Sequence, residues 1–354
     1  MTRLSILPAV LGLASLAQAQ CGSGTPDASV TGSGSSFVAT AGGSQVYSGS
    51  SYLTAIQTAI DSVSSGQRIA VIASGSIGAS TITLDSGKIF EGCGTIDVAN
   101  NAGKGAIEST GTTDVQIPYL SMTGAPYFGL RFSGTTNLVL GEITMNLSGG
   151  IGIRFDRDAD ANKNVKMGTI RVTGAGSHAV ETWNIDGLTI DSVIARSCGE
   201  CGLLLQATTN AQVGLVDGDD VGGSTGYATL RFANQNGRLS SGSYEKNVFI
   251  DRVVSRGGGR GVFCVSESGG AEITEIDLAD NGNNAILIEN CYGVSILGGT
   301  VEGGGEVRLA ARDEFENNRD ISITATVNDN TVRESPCGEN ITWNLSGNAA
   351  QNVC

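Results

Sequence analysis

From Val115 to Asp320 the chain repeats a unit of about 23 residues, and a unit that short cannot bury its own apolar face. The units begin at Val115, Leu138, Val165, Leu188, Ala211, Val248, Ala271 and Val294. The spacing of successive starts is constant except for a slightly stretched interval before Val165 and a long one before Val248. Each unit runs through one grammar: a short apolar strand, a two-residue bend, a second strand, a Gly- or Asn-rich turn and a third strand. VKMGTIRVTGAGSHAVETW, LTIDSVIARSCGECGLLLQ and AEITEIDLADNGNNAILIE are three copies. Neighbouring units must therefore stack and share a continuous core, which predicts an all-β fold, a single-stranded parallel β-helix.

The ends differ from the repeat. Residues 1–19 combine one positive charge, an apolar run and a small-x-small end at Ala17-Gln18-Ala19, the pattern of a signal peptide. The expected mature chain is secreted, extracellular and monomeric, with no later stretch apolar enough to span a membrane. Residues 20–50 are rich in Gly, Ser and Thr and read as an extended lead-in to a β-helix domain over 51–354. At its start SYLTAIQTAIDSV sets Leu53, Ile56, Ile60 and Val63 at helical spacing, with Ser50 or Ser51 as N-cap. A helix there would cap the open end of the coil stack. Residues 321–354 leave the period and read as the opposite cap.

A net charge of −14 excludes nucleic acid and anionic membrane as partners. Eight cysteines, Cys21, Cys93, Cys198, Cys201, Cys264, Cys291, Cys337 and Cys354, read as disulfides in an exported chain. Chain proximity suggests Cys21 with Cys93 and Cys337 with Cys354, and a structural bridge is expected in Cys198-Gly-Glu-Cys201. Glycosylation sequons stand at Asn146, Asn340 and Asn344.

The third strands carry the candidate site. Alternation turns Leu130 and Phe132, Ile153 and Phe155, Val180 and Thr182, Leu203 and Leu205, Leu230 and Phe232, and Val262 and Cys264 inward. Between them an outward row runs Arg131, Arg154, Glu181, Leu204, Arg231, Phe263, Leu287 and Arg308, and two residues further lie Ser133, Asp156, Trp183, Gln206 and Ala233. Coils stack ~4.8 Å apart, so the row would form a charged wall with Trp183 beside it. Such a wall suits a linear sugar chain: arginine forks grip carboxylates and indole rings stack on sugar faces. Insertions after the third strand, at 156–164 and 233–247, would wall a groove over it.

Glu181, His178, Asp156, Arg154 and Arg231 are the candidate catalytic residues; Arg131, Trp183, Asp217, Asp219 and Asp220 are candidate substrate contacts. His178 is the only histidine. Asp156, Asp158, Asp160 and Asn162 alternate as calcium ligands do, but Ala161 and Met167 replace the Gly and Glu of an EF-hand, so only a looser Ca2+ site remains open.

The helix AIQTAIDSV, a strand, LDSGKIFEGCGTI and then three-strand coils resemble the pectate-lyase-like superfamily over most of residues 37–320. That resemblance implies a right-handed parallel β-helix and a secreted protein acting on polysaccharide. The Gly-His-Gly and Arg-x-Lys motifs of its polygalacturonase-type hydrolases and the Arg-x-Pro-x-x-Arg run of its calcium-dependent lyases are absent, so those residue roles do not carry over. The expected activity is cleavage of an acidic, uronate-containing polysaccharide, with β-elimination slightly ahead of hydrolysis. Glu181 and Asp156, with backbones ~8 Å apart, would serve an inverting hydrolase. A non-catalytic wall-binding or host-interacting protein is the third reading.

Overall fold

The computed structural model describes residues 21–354, and the segment read as a signal peptide lies outside them. The described chain is all-β, 59% strand and 3% helix, wound as a right-handed-type parallel solenoid of about 12 turns. At ~4.8 Å per coil this makes a rod roughly 55 Å long.

The repeat units stack with their starts in register. Val165 pairs with Leu188, Leu188 with Ala211, Ala211 with Val248, Val248 with Ala271 and Ala271 with Val294. The long interval before Val248 is absorbed as a loop, because a slip of one residue would turn a whole apolar row outward. Inside, Leu130, Ile153, Val180, Leu203, Leu230, Val262 and Ile286 form one buried ladder. Phe132 stacks beside Phe155 with ring centroids 5.3 Å apart.

A left-handed residue precedes nearly every unit start. Asp114, Asn137, Asn164, Gly187, Asn210, Gly270, Gly293, Asp320 and Asn340 all have φ between 52° and 83°. Asp and Asn tolerate that conformation because their short polar side chains bond locally, and Gly because it has no Cβ. The side chains also link coil to coil: Asn137 Nδ2 donates to Asp114 Oδ1 at 2.9 Å and Asn164 Nδ2 to Asn137 Oδ1 at 3.2 Å. Asn247, which ends the longest insertion, is the exception.

The N-terminal residues are more ordered than a lead-in. β1 (Ala28–Ser33), β2 (Ser36–Ala41) and β3 (Ser44–Gly49) form an antiparallel meander, and β1 also pairs in parallel with β4 (Arg68–Val71). Gly34 and the Gly42-Gly43 pair turn the chain, while Val30, Phe37 and Ala39 face the core. The predicted helix spans Tyr52–Asp61, buries Tyr52, Ala55, Ile56, Ala59 and Ile60, and is capped by Ser51, whose Oγ accepts from Thr54 N. At its other end the buried Lys88 ammonium donates to the Ile60 and Val63 carbonyls, matching the negative end of the helix dipole. The helix packs on the meander and the first coils, covering that end of the stack.

At the C-terminus the region read as a cap is itself coiled. Ile321 pairs with Val294 on one side and Ile341 on the other, and Thr331–Glu334 and Ala350–Asn352 extend the third-strand sheet. Asp320 and Asn340, the left-handed residues that open these two coils, stand 20 residues apart. That shorter step hides them from the period of the units upstream.

Three disulfides form: Cys21–Cys93, Cys337–Cys354 and Cys264–Cys291. The expected Cys198–Cys201 bridge does not; both are free and buried. Cys198 belongs to the interior core, whereas Cys201 lies in a second apolar cluster on the outer side of the third-strand wall. Both stand in the turn between Ile185–Arg196 and Leu203–Gln206, and packing draws the two side chains into separate clusters instead of together.

Candidate functional site on the third-strand face

The outward row forms in the predicted order. Glu108 pairs with Arg131, Arg131 with Arg154, Arg154 with Glu181, Glu181 with Leu204 and Leu204 with Arg231. Arg231 then pairs with Phe263, Phe263 with Leu287 and Leu287 with Arg308. Parallel pairing in constant register is what holds these side chains in single file, and Trp183 stands one step aside, paired with Gln206.

In the first half of the row each charge is matched. Arg131 binds Glu108 at 3.0 Å and Asp156 at 2.8 Å; Arg154 reaches Asp156 at 3.7 Å through Nε and binds Glu181 through Nη1. Glu181 is only 5% exposed. Besides Arg154 it accepts from Trp183 Nε1 at 2.9 Å and Gln206 Nε2 at 3.0 Å, and Gln206 accepts in turn from Asn234 at 2.6 Å. A buried carboxylate needs such donors, since leaving one unpaired costs several kcal/mol. Arg157, from the loop after Asp156, lies over the Trp183 ring at 5.8 Å.

His178 sits at the near edge of the same face and is buried. Its Nδ1 accepts the Cys201 N–H at 3.0 Å and its Nε2 lies 3.0 Å from Glu200. Nδ1 therefore carries no proton, the ring is the neutral Nε2–H tautomer, and both nitrogens are engaged. Burial pushes its pKa down, against the pull of the Glu181 and Glu200 carboxylates. Cys201, beneath Arg231, has its thiol pushed up to about 12 by burial, which leaves it inert as a nucleophile.

The acidic trio is elsewhere. Asp217 and Asp219 belong to Thr209–Asp219, whose neighbours are second strands, and Asp217 binds Arg196 at 2.7 Å. With Asp220 they lie on a different wall from the row, so the structure does not bring them to the candidate site. The calcium pattern also dissolves: Asp158 pairs with Arg157, and Asn162 turns inward to accept from Thr135 N at 3.0 Å. Asp156 is already held between two arginines. These residues do not fit a calcium ion.

The two insertions leave the same end of the third strand, so they border one edge of the face; the other edge carries His178, Cys201 and Tyr227. The sequons Asn146, Asn340 and Asn344 are exposed, and none lies on the third-strand face. A surface groove of about 520 Å³ runs along the left-handed column past Gln116, Asn137, Lys166 and Thr189 and is not at the row.

Sequence reasoning missed Glu108 and Glu200. Glu108 lies 23 residues before Arg131, one period upstream of the first recognised third strand, so the repeat itself carried the signal. Glu200 sits in a turn, where alternation says nothing of direction.

Compared with known protein families, with characterised proteins and with solved structures, the chain finds no match. Among the described residues no helix is long and apolar enough to cross a membrane.

Proposed function

We propose that the third-strand face is the substrate surface of an exported, polysaccharide-active protein of the pectate-lyase-like kind, taking an acidic, uronate-containing glycan along the solenoid axis. One observation carries the reading: arginines and a carboxylate succeed one another in register along a single wall, one coil every ~4.8 Å. A linear polyanion meets such a wall repeatedly, and the row offers guanidinium forks in a chain that is otherwise strongly acidic. Three disulfides accord with export to an oxidising compartment.

The residue set suits β-elimination. A sugar carboxylate competes with Glu181 for Arg154, whose guanidinium then stabilises the negative charge that develops on that carboxylate, while Arg231, three coils further along and turned toward Phe263, holds another part of the chain. Glu181, relieved of Arg154, takes the proton α to the carboxyl; the C–H electrons form the new double bond and the glycosidic oxygen departs with a proton from water. His178 serves as a positioning residue, because its nitrogens fix the Cys201 peptide and Glu200. Hydrolysis by Asp156 and Glu181 is less favoured: both bind Arg154, which fills the space where an inverting pair holds its water.

A binding-only reading is favoured by one fact, that Glu181, Asp156 and His178 are all paired already. A panel of acidic and neutral polysaccharides separates the two. Unsaturated uronic ends, seen as new ultraviolet absorbance and lost in Glu181→Gln, are the expected result. New reducing ends without that absorbance would replace the lyase reading by hydrolysis; binding without product would leave the binding protein.

A further inference from the structure

Beyond Glu181 the row changes character. Leu204, Phe263 and Leu287 face outward and form, with Cys201, Ala228, Ala233, Val265 and Ala310, an apolar cluster on the outside of the wall. Two arginines bracket it. Arg231 approaches the Phe263 ring from the preceding coil, its Cζ 5.1 Å from the centroid, and Arg260 approaches from the same coil at 4.7 Å.

Neither arginine has a carboxylate partner among the described residues, whereas Arg131, Arg154, Arg308 and Arg312 on the same face all do. Arg260 is only 7% exposed; its Nε donates to Asn284 Oδ1 at 3.1 Å, but its Nη1 has no acceptor. The Nε of Arg231 is likewise buried without a hydrogen bond, a state it shares with the Nε of Arg154, Arg308 and Arg312, so the orphaned Arg260 Nη1 and the missing carboxylates are what set this pair apart. Glu289, the acid that acts most on Arg260, is bound to Arg312 at 2.8 Å. Two like charges sharing one ring, one of them almost fully buried, are unfavourable unless an anion joins them. Cation–π attraction offsets part of that cost but supplies no acceptor for the free N–H groups.

We propose that Arg231 and Arg260, set about Phe263, form an anion subsite that takes one carboxylate of a uronate residue, with the buried Leu204, Phe263 and Leu287 as the apolar floor beneath the two guanidinium groups. The subsite rests on the acidic-glycan reading for the identity of its ligand. It adds two residues, Arg260 and Phe263, that the charged row alone does not single out. Its shared chemistry is a monoanionic oxyanion, whether carried by a sugar or free in solution.

The test uses the full chain and three variants, Arg231→Met, Arg260→Met and, on the second-strand wall, Arg252→Gln. Oligogalacturonate, oligo-alginate and a neutral cello-oligosaccharide are titrated calorimetrically, and thermal unfolding is followed with added glucuronate, acetate or sulfate. Wild type and Arg252→Gln should bind an acidic oligomer and not the neutral one. Arg231→Met and Arg260→Met should each bind it at least ~10-fold more weakly, with a shallower dependence on salt. The free anions should raise the unfolding temperature of wild type and not of either methionine variant. Without ligand, Arg260→Met should be at least as stable as wild type, since it removes an unpaired buried charge; this separates lost binding from lost folding. Acidic oligomers that bind wild type and both methionine variants alike would overturn the subsite and leave the glycan reading in place. Stabilisation by free anions with no oligomer binding would keep the subsite and overturn the glycan reading. No response to any anion would overturn the subsite outright.

Discussion

His178 shows how a residue's chemistry is set by what its neighbours demand of it. A lone histidine beside a glutamate and a tryptophan invites a proton-transfer role, and the sequence places it correctly on the third-strand edge. The Cys201 N–H then fixes Nδ1 as an acceptor, so the folded protein holds the ring neutral. A folded-state pKa below the ordinary value of about 6.5 means that the unfolded chain binds the proton first as pH falls. The stabilising contribution is complete above that value and is lost as pH drops through it. Chemical denaturation between pH 7.5 and 5 should therefore show a fall in stability that is reduced in His178→Gln; equal pH slopes would refute the neutral ring. At pH 7.5 the variant should also lose about 1 kcal/mol for the weakened Cys201 hydrogen bond. None of this was legible in the chain, because Glu200 and Cys201 lie one coil away, at a turn whose side-chain directions no periodicity fixes.

At the scale of the coil, the governing device is the left-handed residue before each unit start. Its identities, Asp, Asn, Asn, Gly, Asn, Gly, Gly, Asp and Asn, look like ordinary turn composition until they are stacked by the repeat. Gly187, at φ 83°, tests the device. Gly187→Val forces a β-branched side chain into the left-handed region and should cost on the order of 2 kcal/mol, whereas Gly187→Asn, which copies its neighbours in the column, should stay within about 0.5 kcal/mol of wild type. Urea unfolding of the two variants measures this, and equal losses would mean that φ is not the constraint. The same column explains the clean register of the charged row. Once each coil bends at one fixed residue, an equal run of chain from Asp114, Asn137 and Asn164 brings Arg131, Arg154 and Glu181 into line, whereas the coil from Asn210 loops out extra residues and Arg231 is aligned by its pairing with Leu204.

For the whole molecule, stability is distributed along a line, since each coil touches only its neighbours. The helix and the meander cover one end, but the other end is the exposed edge strand Glu339–Ser346, held by Ile341, Trp343 and Leu345 and by the Cys337–Cys354 bridge. Amide exchange should be fastest in residues 339–352 and slowest in the central coils from 165 to 296. Opening the bridge with Cys337→Ser should quicken exchange in that final coil and leave the centre unchanged; a uniform increase would mean that the rod unfolds as one unit.

The sequence by itself determined the period, the parallel stacking, the inward and outward faces of the third strands, the capping helix and two of the three disulfides. These follow from local alternation and from the need of a short unit to bury one face, both written in consecutive residues. Tertiary structure alone decided that Cys198 and Cys201 pack into separate apolar clusters, that the Asp217–Asp220 cluster sits on another wall, and that Arg260 is buried without a counterion among the described residues. Those outcomes depend on turns and on contacts between neighbouring coils, a full period apart in the chain, where direction is set by packing.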